Sequence, residues 1–297
     1  METRKQFIRK TIGLSLFPLF GRTMRLSELH NLKNNLKTTR RMPVLFLGHG
    51  SPMNAIEENE FVIGFRDISN NIPKPSVIIC ISAHWETPGT FVTATPNPKT
   101  IHDFGGFPQE LFNVNYPAPG SPEWALETQK LIKKTEVVLD DKWGLDHGSW
   151  SVIKHLYPLA DIPVIQLSLD YRKGPQYHYE LAQELSGLRD RGVLIIGSGN
   201  MVHNLGKVAW RRLNETFAFD WAAEAQSKMN AFIEEGNHDA LIHYTKLGTA
   251  FEWAIPSPEH YLPLLYTLAL QDKNDAVVRF NDKPVAGALT MTSLKIG

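Results

Sequence analysis

The chain has 297 residues, 42% of them hydrophobic, with 31 Lys plus Arg against 31 Asp plus Glu and a formal net charge of zero. That length buries a sizeable core, and the charge balance excludes a protein built around broad attraction to nucleic acid or to an anionic membrane. The single cysteine, Cys80, excludes an intrachain disulfide and a Cys-rich zinc site, and inside the run VIICIS it reads as a small buried apolar residue.

In chain order, the first segment reads as a leader. METRKQFIRKTIGLSLFPLFGRT has basic residues followed by a short apolar stretch, Ile12 to Phe20, too short to span a bilayer. Arg4-Lys5 before Phe7-Ile8 is similar to a twin-arginine export signal with one arginine replaced by lysine, but no small-x-small cleavage site follows. Cytoplasmic and exported locations both stay open. HNLKNNLKTTRR is polar, and residues 1–41 are set apart as leader and linker from a domain over 42–297.

From Met42 onward the pattern alternates. Strands are predicted over Val44–Leu47, Val77–Ser82, Thr90–Thr95, Val164–Leu169, Val193–Ile196 and Ala286–Leu294. Several are continuous apolar runs, as expected for strands covered on both faces. Helices are predicted over Pro122–Lys134, His178–Arg191, Ala218–Glu235, His238–Leu247 and Pro258–Leu270. GSPEWALETQ and PSPEHYLPLL share a start signal of Ser as N-cap, Pro at the first helical position and Glu in the first turn. The expectation is a single α/β domain whose central sheet is mixed, largely parallel and flanked by helices.

Ligands of such sheets lie outside the carboxyl ends of the strands, and histidines fall there. His49 sits between Gly48 and Gly50 in LFLGHGSP, where the glycines allow a sharp turn and Pro52 stiffens the exit. His84 follows the small residues of ISA, with Trp85 after it as a wall for an aromatic guest. His203 lies in GSGNMVHN, which lacks both a P-loop lysine and GxGxxG spacing, so a nucleotide site is only weakly supported. His260 is expected in the first turn of the last helix, where the macrodipole keeps the ring neutral for a metal. Glu259 beside it reads either as a capping acid or as an alternative oxygen ligand.

Two segments are irregular and aromatic. WGLDHGSW carries His147, which reads as an acid/base or hydrogen-bond donor because it lacks the strand context. IHDFGGFPQELFNVNYPAPG carries His102, Asp103, Phe104, Phe107 and Tyr116, residues suited to a lid or pocket wall, with Trp150 nearby in sequence to His147. His30, His155, His178, His238 and His243 read as surface or structural. Histidine with carboxylate and no cysteine suits Fe(II) or Zn(II).

LFLGHGSPMN, SAHW, IHDFGGFP, YPAPGSP, WGLDHGSW, GSGNMVHNL and PSPEHYLPLLY occur in that order between residues 42 and 266. As a set they resemble the class III extradiol ring-cleavage dioxygenases, in the 4,5-DOPA dioxygenase-like branch. The resemblance implies metal binding by His49 and His84, with His260 as a further ligand. It implies His203 either as a ligand in a resting zinc form or as an acid/base beside the metal. Better-known relatives use two histidines and a glutamate, so Glu259 and His260 both stay in play for the third position. It further implies Fe(II) for turnover, Zn(II) in the resting or isolated protein, O2 and a DOPA-like catechol as substrates, and a muconic semialdehyde as product. His203 or His147 would move the proton, and His102, Asp103, Phe104, Trp85 and Tyr116 would contact the substrate. No nucleic-acid partner and no stable membrane insertion are expected, and the oligomeric state is left open. The competing readings are a zinc-dependent hydrolase and a non-catalytic binding protein on the same fold.

Overall fold

In the computed structural model, which describes residues 41–297, six strands make the central sheet. They are β1 (Val44–Gly48), β2 (Val77–Ser82), β3 (Val164–Gln166), β4 (Val193–Gly199), β5 (Val277–Phe280) and β6 (Ser293–Ile296). Their spatial order is β3-β2-β4-β1-β6-β5. The first four are parallel, β6 pairs antiparallel with β1, and β5 pairs antiparallel with β6 at the edge. The sheet is thus mixed and largely parallel, in one domain, as the alternating pattern predicts.

The continuous apolar runs are explained by which face each residue meets. Val44 and Phe46 of β1 join Val77, Ile79, Ile81, Val193 and Ile195 in one hydrophobic cluster. Leu45 and Leu47 join Ile78, Cys80, Leu194 and Ile196 in the other. Successive side chains of a strand point to opposite faces, so a sheet covered on both sides needs apolar residues at every position. Helices α1 (Glu60–Asn70) and α3 (His147–Leu156) supply Phe65, Trp150, Val152, Ile153 and Leu156 to the cluster of Leu45. Helices α2 (Pro122–Leu131), α4 (Pro175–Gln183), α5 (Asp220–Glu234) and α6 (Leu262–Leu268) pack on the cluster of Val44. Each fully buried aliphatic side chain contributes roughly 1.5–3 kcal/mol. Ser121 caps α2 by accepting the Trp124 N–H, with Pro122 at the first helical position, as its start signal predicts.

Other segments depart from the sequence expectation. The Thr90 strand ends at Thr93 and lies outside the central sheet, paired in parallel with Val137–Asp140, a strand the sequence reading missed because it is half polar-exposed. The run expected over Ala286–Leu294 starts late, because Ala286 and Gly287 take positive φ and bend the chain, and it is divided at Met291 and Thr292 into Leu289–Thr290 and β6. Helices α1 and α3 and strand β5 were not expected. The last helix begins at Leu262 rather than Pro258, which leaves Glu259 and His260 in the turn before it.

Register levels the functional strand ends. Gly48 is paired with Gly199, and Ser82 with Ser198. The ladder runs one residue further on each side, with His49 N–H donating to the Gly199 carbonyl at 3.1 Å and Ala83 N–H to the Ser198 carbonyl at 3.0 Å. His49 and His84 therefore leave the sheet at the same height. Arg41 is ion-paired with Asp190 and Asp272 at 2.6 and 2.7 Å. The leader features from Arg4 to Phe20 lie outside the described residues. Among the described residues no helix is long and apolar enough to cross a membrane.

Candidate active site

Five imidazoles gather at the carboxyl edge of the parallel strands. The ring centroids of His49, His84 and His260 form a nearly regular triangle with sides of 5.1, 5.3 and 5.0 Å. His147 lies 3.9 Å from His84 and 5.8 Å from His49. His203 stacks on His260 at 3.6 Å with the planes 6° apart. Single ring nitrogens of His49, His84 and His147 lie within 4.8 Å of one another, as do those of His203 and His260 with a Glu259 carboxylate oxygen.

Each ring is brought there by a definite local device. His49 follows β1, and His84 follows the two small residues that end β2. His147 is the first residue of α3, whose N-cap Asp146 accepts from the Ser149 N–H. His260 is carried by its turn directly against β4. The Asn200 N–H donates to the His260 carbonyl at 2.8 Å, and a Cβ at Gly199 would stand 2.1 Å from that oxygen. Only glycine at 199 lets the turn sit this close. His203 is tied to the same neighbourhood by its N–H, which donates to the Ala254 carbonyl at 2.9 Å.

Three of the rings have a fixed proton. The Ser198 hydroxyl donates to the Gly148 carbonyl, so it accepts from His49 Nδ1, 3.0 Å away. Glu259 Oε1 accepts from His260 Nδ1 at 3.0 Å, and Asp103 Oδ2 accepts from His147 Nδ1 at 2.9 Å. In the His49 and His260 rings the Nε2 lone pair is thereby left available, the tautomer that second-sphere partners select at metal sites. His49 Nε2 and His84 Nε2 then face each other at 3.3 Å.

Burial keeps the rings of His49, His84, His203 and His260 uncharged. It pushes the pKa of His49 and of His260 well below the ordinary histidine value, and the neighbouring imidazoles deepen both shifts. His84 is lowered to about 3 by burial and by His147, against the opposing charges of Asp103 and Glu259. His203 falls to about 4, again chiefly through burial. The sequence argument for a neutral His260 is right in outcome and wrong in cause, because the helix whose dipole it invoked starts two residues later. For the same reason Glu259 is not a first-turn capping acid. It holds the His260 ring and accepts from the Ser257 hydroxyl at 3.0 Å.

The donor set fits a divalent cation. Facing neutral nitrogens at 3.3 Å repel each other unless a proton or cation lies between them. At metal–nitrogen distances of about 2.1 Å, co-ligated imidazole centroids stand about 4.5 Å apart for octahedral and about 5.2 Å for tetrahedral angles. The His49–His84–His260 triangle meets that range. His84 and His147, at 3.9 Å, are closer than co-ligands, and the parallel planes of His203 and His260 aim their lone pairs side by side rather than at one point.

An aromatic wall stands beside the cluster. Phe104 meets His147 edge to face at 5.4 Å and touches Phe107, Phe112, His102 and Trp150. His102 Nε2–H donates to the Val114 carbonyl at 3.0 Å, so this ring braces the wall. Trp85 is 3% exposed and stacks on Trp143, and Tyr116, also 3% exposed, donates its hydroxyl to the Tyr157 carbonyl. Among the described residues neither of these two makes a ring contact with the imidazole cluster. Sequence reasoning missed Ser198, whose small hydroxyl gives no signal beyond its place in GSG. It also missed Phe112 in the wall.

Residues 43–290 match the family described as the catalytic LigB subunit of aromatic ring-opening dioxygenase. The chain is 42% identical over 272 residues to a 4,5-DOPA dioxygenase extradiol of Escherichia coli K12, covering 90% of this chain and 98% of that one. It is 35% identical over 270 residues to the protein of that name from Beta vulgaris, covering 89% and 97%. The crystal structure of an uncharacterized Escherichia coli K12 protein superposes with a TM-score of 0.72 at 37% identity, over 86% of this chain and all of that one. With the fold, the five converging imidazoles and these likenesses together, the chain belongs to the LigB family of class III extradiol, aromatic ring-opening dioxygenases, in its 4,5-DOPA dioxygenase-like branch.

Proposed function

We propose that the protein uses Fe(II) and O2 to cleave the ring of a DOPA-like catechol beside its two hydroxyls. Both atoms of O2 enter the product, the carbon–carbon bond next to the diol breaks, and a muconic semialdehyde results. The observation that carries this reading is the near-regular triangle of His49, His84 and His260, whose spacing suits three imidazoles on one cation. When bound, iron supplies Lewis acidity toward the two hydroxyls and a redox couple for O2; zinc in the isolated protein would supply only the former.

This chain's own residues supply the rest. His49, His84 and His260 would hold the cation, and three protein ligands would leave positions for substrates. Ser198 and Glu259 keep the Nε2 lone pairs of His49 and His260 unprotonated. His203, parallel to His260 and without a hydrogen bond to either ring nitrogen among the described residues, is free to take a hydroxyl proton and return it. His147 is the second proton carrier. Phe104, on the edge of His147, gives a flat guest an aromatic face.

The test is anaerobic reconstitution with Fe(II), then exposure to air and L-DOPA or a panel of catechols. Oxygen uptake with one equivalent consumed per ring and a yellow product is expected. Iron-loaded protein that binds its metal yet consumes no oxygen with any catechol would sink the proposal.

A further inference from the structure

Asp103 lies on an exposed loop, yet its side chain is 19% exposed and turned inward. Its partners among the described residues are imidazoles and one backbone amide, with no lysine or arginine. Oδ1 accepts from the backbone N–H of His147 at 2.8 Å, and Oδ2 accepts from the Nδ1 of the same residue at 2.9 Å. Asp103 therefore grips residue 147 twice, by main chain and by ring. The N–H it takes is one of the first of α3, which has no partner within its own helix. The same Oδ2 stands 3.5 Å from His84 Nδ1. One carboxylate oxygen thus faces a proposed metal ligand and a proposed proton carrier.

From this we infer that Asp103 is a positioning residue rather than a substrate contact: it holds His147 with the proton on Nδ1 and the lone pair on Nε2. The inference rests on the ring-cleavage reading above for its consequence, but not for its geometry. A purely structural role would be met by Oδ1 alone, which completes the helix start. The second oxygen acts only on the ring. Fixing the tautomer matters because a ring with its hydrogen on Nε2 cannot accept a hydroxyl proton there. Where a carboxylate orients a catalytic imidazole, the isosteric amide keeps the shape and selects the wrong tautomer, with losses of about 10⁴ in turnover. Asp103 also shares its loop with Phe104, which lies edge-on to the same ring. The loop therefore sets the base and part of the aromatic wall together.

The discriminating variant is Asp103→Asn. We expect iron content and melting temperature close to wild type, KM for the catechol changed by no more than a few-fold, and kcat lowered by about 10²–10⁴. Nitrogen-15 NMR of histidine-labelled, metal-free protein, at a pH above the histidine range, reads the tautomer directly. The His147 signal, assigned by its loss in His147→Gln, should report Nδ1–H in wild type and Nε2–H in Asp103→Asn. A wild-type ring carrying its proton on Nε2 overturns the inference whether or not the variant folds. So does a variant that keeps kcat within a few-fold of wild type, or one that loses iron together with turnover, since the carboxylate would then serve His84. Failure of the wild-type iron enzyme to consume oxygen would count against ring cleavage and leave the NMR result to decide Asp103.

Discussion

The molecule holds two populations of buried imidazole, and they differ in where their nitrogens go. His178 is fully buried on α4, with Nδ1 against the Tyr266 hydroxyl at 3.0 Å. His238 sits between the Tyr179 hydroxyl at 2.9 Å and Gln271 Oε1 at 3.1 Å. Their polar partners are core side chains and, for His178, the Asp170 and Lys173 backbone. At the strand ends, by contrast, Ser198, Glu259 and Asp103 take the Nδ1 protons while the other nitrogens crowd toward one another. Burial alone therefore does not mark a site. Convergence of unprotonated nitrogens does.

Substitutions can break that distinction. Replacing His49, His84 or His260 by Ala should lower both bound iron and oxygen uptake to background, by metal analysis and an oxygen electrode. His238→Gln should change neither. His203→Gln should keep iron and lower kcat by about 10²–10⁴, the range for a general acid/base; loss of iron in that variant would make His203 a ligand.

A smaller effect concerns the structural population. Burial lowers the His178 pKa from 6.5 to about 4, outweighing the favourable Asp170 and Lys173 backbone contacts. The unfolded chain takes up this proton below 6.5 and the folded chain resists until about 4. Stability is thus lost as pH falls through that window, by on the order of 3 kcal/mol. Urea unfolding of metal-free protein across the window should show a flatter profile in His178→Gln than in wild type. An equal slope would mean that His178 is not the group responsible. The smallest effect is at the wall: Phe104→Leu should raise KM for a catechol by about two- to tenfold with kcat little changed, the worth of one aromatic contact.

Much of this was legible in the sequence. The strands ending at Gly48, Ser82 and Gly199 were, because two-sided burial writes itself as unbroken apolar runs, and so were the three histidines just beyond them. The role of residue 147 as a helix start was hidden, because GLDHGSW has glycines where a helix pattern would be sought. The Glu259–His260 turn was misread because Ser-Pro-Glu is a good helix start that the docking of His260 against Gly199 overrides. Trp85 and Tyr116 were read as pocket residues by residue type; both are 3% exposed, with Trp85 stacked on Trp143 and the Tyr116 hydroxyl on the Tyr157 carbonyl. Partners such as Ser198 and Asp103 depend on contacts between residues 149 and 44 positions apart, which no local pattern records.

The crest of the loop that carries Asp103 and Phe104 offers a practical handle. A Cβ added at Gly105 would meet no atom within 4 Å, and the lone Cys80 is buried with its thiol pKa driven up by that burial. Gly105→Cys would therefore install the one readily alkylated sulfur among the described residues, two positions from the carboxylate. A dye attached there would report, in real time, how the loop beside the imidazole cluster responds as guests enter and leave.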